Sequence, residues 1–280
     1  YFHLIKEGQL QGNVKDYLGF DFTPEIKSFW DILFKFQIRR ANHILTPSNY
    51  CRQEVIQFLR VPPEKVTATP LGISEEFKIK PNSESNRMAT LRALGIKKPF
   101  LLYVGGYEPH KNTIGLLKVF ALVKQSRPDL SLVTVGTREI PETLKNEAAK
   151  LNLQVNRDVI FLNDLSEELV DLYDSAELFV TMSWRESFCL PALEAMQRGL
   201  PVIGSIFGAI SEIVNGAVQF VNPSDQQKFA NTILKVLNTN DKEHHFKSSI
   251  QRASMFSGED MVKKTLEIYR DLTKKFKITP

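Results

Sequence analysis

Cysteine is nearly absent from this 280-residue chain: Cys51 and Cys189 stand alone. They are too few and too distant for a disulfide framework or a metal knuckle, and they suit a reducing, cytoplasmic compartment. No HExxH pair or Cys/His cluster supplies a metal-ligand set, and the adjacent His244 and His245 read as a solvated helix end. No apolar run reaches the length of a spanning helix. Neither sign of charge dominates, since 36 basic against 32 acidic residues leave a net charge of +4. That charge is mild and spread out, so it argues neither for nor against nucleic acid; no nucleic-acid partner is expected, while peripheral contact with the inner face of a membrane stays open. A dinucleotide fingerprint and a Gly-rich loop ending in Lys and Ser/Thr are also missing, which removes the main supports for nicotinamide and P-loop chemistry. There is no internal repeat and no low-complexity tract. The chain opens on Tyr1, inside sequence that reads as structural, without Met or a signal peptide. The expectation is that a further N-terminal part belongs to the natural protein.

The length allows one large domain or two modest ones. YFHLI suits a strand, residues 6–26 are loop-like, residues 30–40 suit a helix, and residues 43–45 suit a short strand before a helix starting at Ser48 and ending near Leu59. The strand KVTATPLG ends at Gly72, and the polar stretch 78–86 is the best linker candidate, followed by a short helix at 87–94. Beyond it, strands alternate with helical patterns: FLLYVG, a helix from Thr113, SLVTVG, a helix from Pro141, VIFL, a helix from Glu167, and LFVTM. Such alternation predicts right-handed crossovers and an α/β fold, a mostly parallel sheet with helices on both faces. Ile114, Leu117, Phe120 and Ala121 form one helical stripe. Glu168, Asp171 and Asp174 are expected to face outward while Leu169, Leu172 and Tyr173 pack inward. Helices are expected again at 224–237 and 259–275, the last with Val262, Leu266, Tyr269 and Leu272 as its apolar stripe.

Two strand ends carry the chemistry. ESFCLPALEAMQRGLPVIGS, residues 186–205, places Glu186 in a loop after a strand and Glu194 about one turn inside the helix that Pro191 opens, with Gly199 ending it. In open parallel sheets that edge binds ligands, and a helix N-terminus there offers unpaired N–H groups to a phosphate. Two helix-flanking acids are common by themselves. Beside a phosphate site, carboxylates that accept from hydroxyls suit a sugar phosphate. VGGYEPHKN, residues 104–112, is the second element: Gly105 and Gly106 permit close backbone approach, Lys111 brings a positive charge suited to a diphosphate, and Asn112 is a good N-cap.

These residues carry a resemblance. The chain is similar to the retaining GT-B glycosyltransferases of the group called glycosyl transferases group 1. The matching segments are ESFCLPALEAMQRGLPVIGS, LLYVGGYEPHKN, VIFLNDLSEELVDLYDSAELFVTMS and ILTPSNYCRQEV with PLGISEEF. The resemblance implies a Rossmann-like donor-binding domain at 99–257 and the remnant of a second Rossmann-like, acceptor-side domain at 1–80. A linker at 81–98 would join them, and a C-terminal helix at 258–280 would cross back. It further implies that Glu194 binds the ribose of a nucleoside diphosphate sugar, that Glu186 holds the transferred sugar and that Lys111 neutralises the leaving diphosphate. Backbone amides at Cys189 and Leu190 would contact phosphate near the Gly105–Gly106 turn, and Leu162 would lie near the base. The implied activity is hexosyl transfer to a glycan, lipid or small-molecule acceptor without a metal or other cofactor. Gly106 replaces a common Arg, Ser187 and Cys189 replace common glycines, and Gly258 replaces a common Trp; His3 is not assigned a role. These departures motivate an alternative, a catalytically weak nucleotide-sugar-binding subunit working with a partner. An epimerase on the same fold is a third reading.

Overall fold

The computed structural model describes residues 36–78, 81–136, 139–215, 218–239 and 242–276. The expected first strand, His3 and most of the expected helix at 30–40 lie outside them; the described turn 36–40 is helical. So do the side chains of His244 and His245.

Strands β1 (Ile44–Thr46) and β2 (Val66–Ala68) pair in parallel, joined by helix α1 (Asn49–Leu59). Ser48 caps α1 as its sequence suggests, its side chain accepting from the Cys51 amide. Helix α2 (Glu84–Ala93) follows, with Leu91 buried. The main sheet then builds from β3 (Phe100–Val104), β4 (Ser131–Gly136), β5 (Val159–Asn163), β6 (Leu178–Val180), β7 (Val202–Ser205) and β8 (Val218–Val221). All its pairings are parallel, in the order β5-β4-β3-β6-β7-β8. The crossovers are α3 (Thr113–Ser126), α4 (Glu142–Lys150), α5 (Glu167–Ser175), α6 (Leu190–Gln197) and the short α7 (Ile210–Ile213). Helices α8 (Gln226–Leu237), α9 (Lys242–Ala253) and α10 (Gly258–Phe276) complete the described chain.

The period of two along the strands divides the core in two. Phe100, Leu102, Val133 and Phe179 pack on one face with Leu172, Leu193 and Ile213, whereas Leu101, Leu132, Leu178 and Val180 pack on the other with Leu117, Phe120, Leu144 and Phe229. Strands buried on both faces read as continuous apolar runs, which is why FLLYV and LFV were legible.

Several details differ from the sequence expectation. LFVTM is strand only over Leu178–Val180, β8 lies where the sequence suggests no element, and of α9 the sequence suggests only a helix end at His244 and His245. Ile114 is exposed, because α3 buries the broader face of Leu116, Leu117, Val119, Phe120 and Val123. Asp171 and Asp174 do not face water. Asp171 is buried and accepts from Asn82 Nδ2 at 2.9 Å and Thr90 Oγ1 at 2.6 Å, which ties the segment before β3 to α5. Asp174 takes two bonds of 2.7 Å from Arg198, whose Nη1 also donates to the Phe77 carbonyl at 3.0 Å. Periodicity cannot separate an acid facing water from one buried against a partner.

Gly72 marks a backbone crossing. A Cβ there would lie 2.0 Å from the Gly258 amide nitrogen, so the segment leaving β2 presses on the start of α10 at a place where no side chain fits. Val262, Leu266 and Tyr269 remain exposed among the described residues.

Both side chains of the Arg198–Asp174 pair are about 4% and 3% exposed. Arg198→Ala therefore strands a buried carboxylate and is expected to cost about 3–5 kcal/mol. Urea unfolding of the variant measures it; a loss below about 1 kcal/mol would contradict the burial argument.

Candidate active site

The strand order reverses between β3 and β6, whose connections leave in opposite directions across the sheet. Such a switch point opens a crevice at the carboxyl edge. Two loops enter it, 105–112 after β3 and 181–189 after β6.

The first loop is shaped locally. Gly105 continues the pairing, its amide donating to the Val135 carbonyl at 2.9 Å, and the Tyr103 hydroxyl donates to the Gly106 carbonyl at 2.7 Å. Pro109–Lys111 form a 3-10 turn. Asn112 then takes a left-handed conformation with φ 56°, and its side chain does not cap α3 as expected. Instead Asn112 Nδ2 donates to the Met182 carbonyl at 3.2 Å, and the Trp184 amide donates to the His110 carbonyl at 2.7 Å. These two bonds stitch one loop to the other. Lys111 is thereby aimed at Glu186: Nζ lies 2.9 Å from Oε1 and 3.0 Å from Oε2.

Glu186 is 7% exposed and also accepts from the Ser183 hydroxyl at 2.6 Å. Its backbone rests on Gly208, where a Cβ would meet the Glu186 nitrogen at 2.5 Å and φ is +81°. Gly208 is a site residue that the sequence reading missed. It lies in an FGAI stretch without a motif, and only the fold brings it against the Glu186 backbone.

Cys189 occupies the N-cap of α6 with φ 73°, in the left-handed region, where a non-Gly residue costs about 1 kcal/mol. The glycine expected at this position in related sequences suits that backbone. Burial pushes the Cys189 thiol well up, so it stays protonated and inert. Neither α3 nor α6 has a side-chain cap, and both begin at the carboxyl edge of the sheet, after β3 and β6, with Leu190 and Pro191 in the first turn of α6.

Glu194 lies inside α6, buried, and accepts from the Tyr173 hydroxyl at 2.8 Å. Tyr173 and Asp174, adjacent on α5, thus hold Glu194 and Arg198, one turn apart on α6. Desolvation raises the Glu194 carboxyl to about 7; the bond from Tyr173 opposes this, and Glu76 adds to it. Burial, and then the neighbouring Lys111, lower the His110 imidazole, which favours its neutral form.

Leu162 shares this sheet edge, in register with Val135, which is in register with Val104. Its carbonyl faces the Tyr107 hydroxyl at 3.5 Å, and the Tyr107 ring covers Gly136, where a Cβ would lie 2.4 Å away. The structure therefore brings Gly105, Gly106, Lys111, Glu186, Cys189, Leu190, Glu194 and Leu162 to one edge. Glu186 and Glu194 keep separate partners. Glu108 occupies the space a side chain at position 106 would use, its Oε2 lying 2.1 Å from a Cβ built there. Among the described residues no three His, Cys, Asp or Glu side chains group as ion ligands, and no helix is long and apolar enough to cross a membrane.

The family model described as glycosyl transferases group 1 matches residues 89–253, more than half of the chain. The O-antigen chain mannosyltransferase B of Escherichia coli is 28% identical over 235 residues, covering 82% of this chain and 61% of that protein. A D-inositol 3-phosphate glycosyltransferase of Corynebacterium urealyticum is 31% identical over 219 residues, covering 73% of this chain and 50% of that one. The chain therefore spans less than two thirds of either relative. Among solved structures, Anabaena HepE in complex with UDP-glucose superposes with a TM-score of 0.75 at 20% identity, covering 86% of this chain and 67% of that one. At that identity the likeness is one of fold.

The raised Glu194 carboxyl yields a pH prediction. Its folded value of about 7 lies above the ordinary 4.5, so the folded state favours the protonated form. Its contribution to stability is full below pH 4.5 and is lost as pH rises through 7. Relative to Glu194→Gln, the wild-type protein is expected to lose up to about 3 kcal/mol between those limits and to change little above them. Denaturation across that range measures the difference; a constant gap would mean that the carboxyl titrates normally.

Proposed function

The chain belongs to the glycosyl transferases group 1 family, and on that premise we propose that it moves a hexose-type sugar from a nucleoside diphosphate donor to a glycan, lipid or small-molecule acceptor, with retention at the anomeric carbon. The observation that carries the reading is the Lys111–Glu186 pair, held at the strand-order reversal between two helix N-termini without side-chain caps. One relative is named a mannosyltransferase and HepE is titled in complex with UDP-glucose, which supports a nucleotide-linked hexose as donor.

In this reading the donor diphosphate takes the Lys111 ammonium from Glu186. The freed carboxylate, still bound to Ser183, accepts from hydroxyls of the transferred sugar, and Glu194 in its ionised form accepts from the ribose. As the anomeric C–O bond breaks, negative charge develops on the departing diphosphate. In this reading Lys111 and the amides of Cys189, the N-cap of α6, and Leu190, its first residue, bind that charge, so little reorganisation accompanies the step. The acceptor oxygen bonds to the anomeric carbon on the face the leaving group vacates, and its proton passes to the diphosphate.

A second reading, a nucleotide-sugar-binding subunit with weak catalysis, is favoured by one observation. Glu108 sits against Gly106, putting negative charge where a cation would help the leaving group. Donor binding by the full-length protein without release of free nucleoside diphosphate, in the presence of acceptor, would select it.

Lys111→Ala and Glu186→Ala each strand a partly buried charge, so the neutral pair Lys111→Met/Glu186→Gln is the cleaner variant. It is expected to lower transfer roughly 10²- to 10³-fold, read as free nucleoside diphosphate together with glycoside. Transfer at the wild-type rate would overturn the site assignment.

A further inference from the structure

The loop that carries Glu186 lacks regular secondary structure, so its orientation depends on what its backbone binds. Three successive residues are tied down. The Ser187 carbonyl accepts from the Ser48 hydroxyl at 2.7 Å and lies 3.4 Å from the Cys51 thiol. The Glu186 carbonyl accepts from the Ala209 amide at 2.8 Å, with Gly208 pressed beneath it. Arg185 pairs with Glu54 on α1.

Ser48 is fully buried, and its oxygen performs two tasks: it caps α1 by accepting from the Cys51 amide at 3.1 Å while its proton goes to Ser187. Glu212, on α7, supplies a second cap to the same helix from across the chain. Its carboxylate accepts from the Asn49 amide at 3.0 Å, the Tyr50 amide at 2.9 Å and Asn49 Nδ2 at 3.0 Å. Arg252 steadies that end of α7 by donating to the Glu212 and Ile213 carbonyls at 2.6 and 2.9 Å. The contacts form a closed ring, running from α1 to Ser187, through Glu186 to Ala209 and α7, and through Glu212 back to α1.

We propose that the first turn of α1, held by Ser48 and Glu212, positions the Glu186 carboxylate for the sugar, making Ser48 and Glu212 positioning residues for transfer. The proposal rests on the reading of Glu186 as the sugar-binding acid. It separates two parts of the donor. The diphosphate depends on Lys111 and the start of α6, outside the ring, whereas the sugar depends on a carboxylate inside it.

The test uses the full-length protein with Ser48→Ala, Glu212→Ala and Glu212→Gln. Transfer kcat is expected to fall roughly 10- to 100-fold in the two alanine variants, because small misplacement of a positioning group has costs of that order. Nucleoside diphosphate affinity and binding stoichiometry should stay at wild-type values, and Glu212→Gln, which keeps one of the two acceptor oxygens, should recover part of the rate. Amide hydrogen exchange without any donor provides a readout independent of turnover. It should accelerate at 184–189 in Ser48→Ala and stay unchanged in the body of α6. Wild-type exchange and rates in both alanine variants would overturn the proposal, as would equal loss of nucleotide-binding stoichiometry and rate. If the wild-type protein itself released no nucleoside diphosphate, the transfer reading would fail, while the exchange result would still decide whether α1 holds the loop.

Discussion

The site depends on the pairing of β3 with β6, Leu101 opposite Leu178 and Leu102 opposite Phe179. Because the chain leaves these neighbouring strands in opposite directions, a crevice opens at the carboxyl edge between them. Two loops meet in that gap, one bringing a lysine and the other a carboxylate. Both strands are buried on both faces, so the distance between the loop roots is fixed by packing. The hydrogen bonds from Asn112 to Met182 and from Trp184 to His110 carry that rigidity out to the side chains.

A partly buried ion pair is a poor source of stability, since desolvation offsets most of the Coulomb attraction. It is well suited to a resting state. Lys111 and Glu186 satisfy one another, and in the proposed reading each gains a new partner when a diphosphate and a set of sugar hydroxyls arrive together. Left-handed Cys189, the close approach at Gly208 and the elevated Glu194 carboxyl lie around the same crevice. Such local costs persist where the surrounding fold determines them.

Much of this was legible in the sequence. Apolar runs such as FLLYV and LFV revealed parallel strands, and the Glu186 and Glu194 spacing with Pro191 between them revealed a loop and the helix it enters. What escaped has a common cause. The bond from Ser48 to Ser187 spans 139 positions, and Asp171, Asp174 and Gly208 acquire their roles only from partners far along the chain. Helical periodicity assigns an acid to a face but cannot say whether an arginine or a threonine waits there. Asn112 shows the same limit locally, because its sequence suits a cap while its side chain serves the neighbouring loop.

The central claim is that the Lys111–Glu186 pair is the unliganded form of a diphosphate and sugar site. A crystal structure of the full-length protein with a non-hydrolysable nucleoside diphosphate sugar addresses it directly. The account predicts Lys111 Nζ on a diphosphate oxygen, Glu186 on sugar hydroxyls and the diphosphate at the start of α6. A fully occupied donor beside an intact Lys111–Glu186 pair, or a diphosphate bound away from α6, would contradict it.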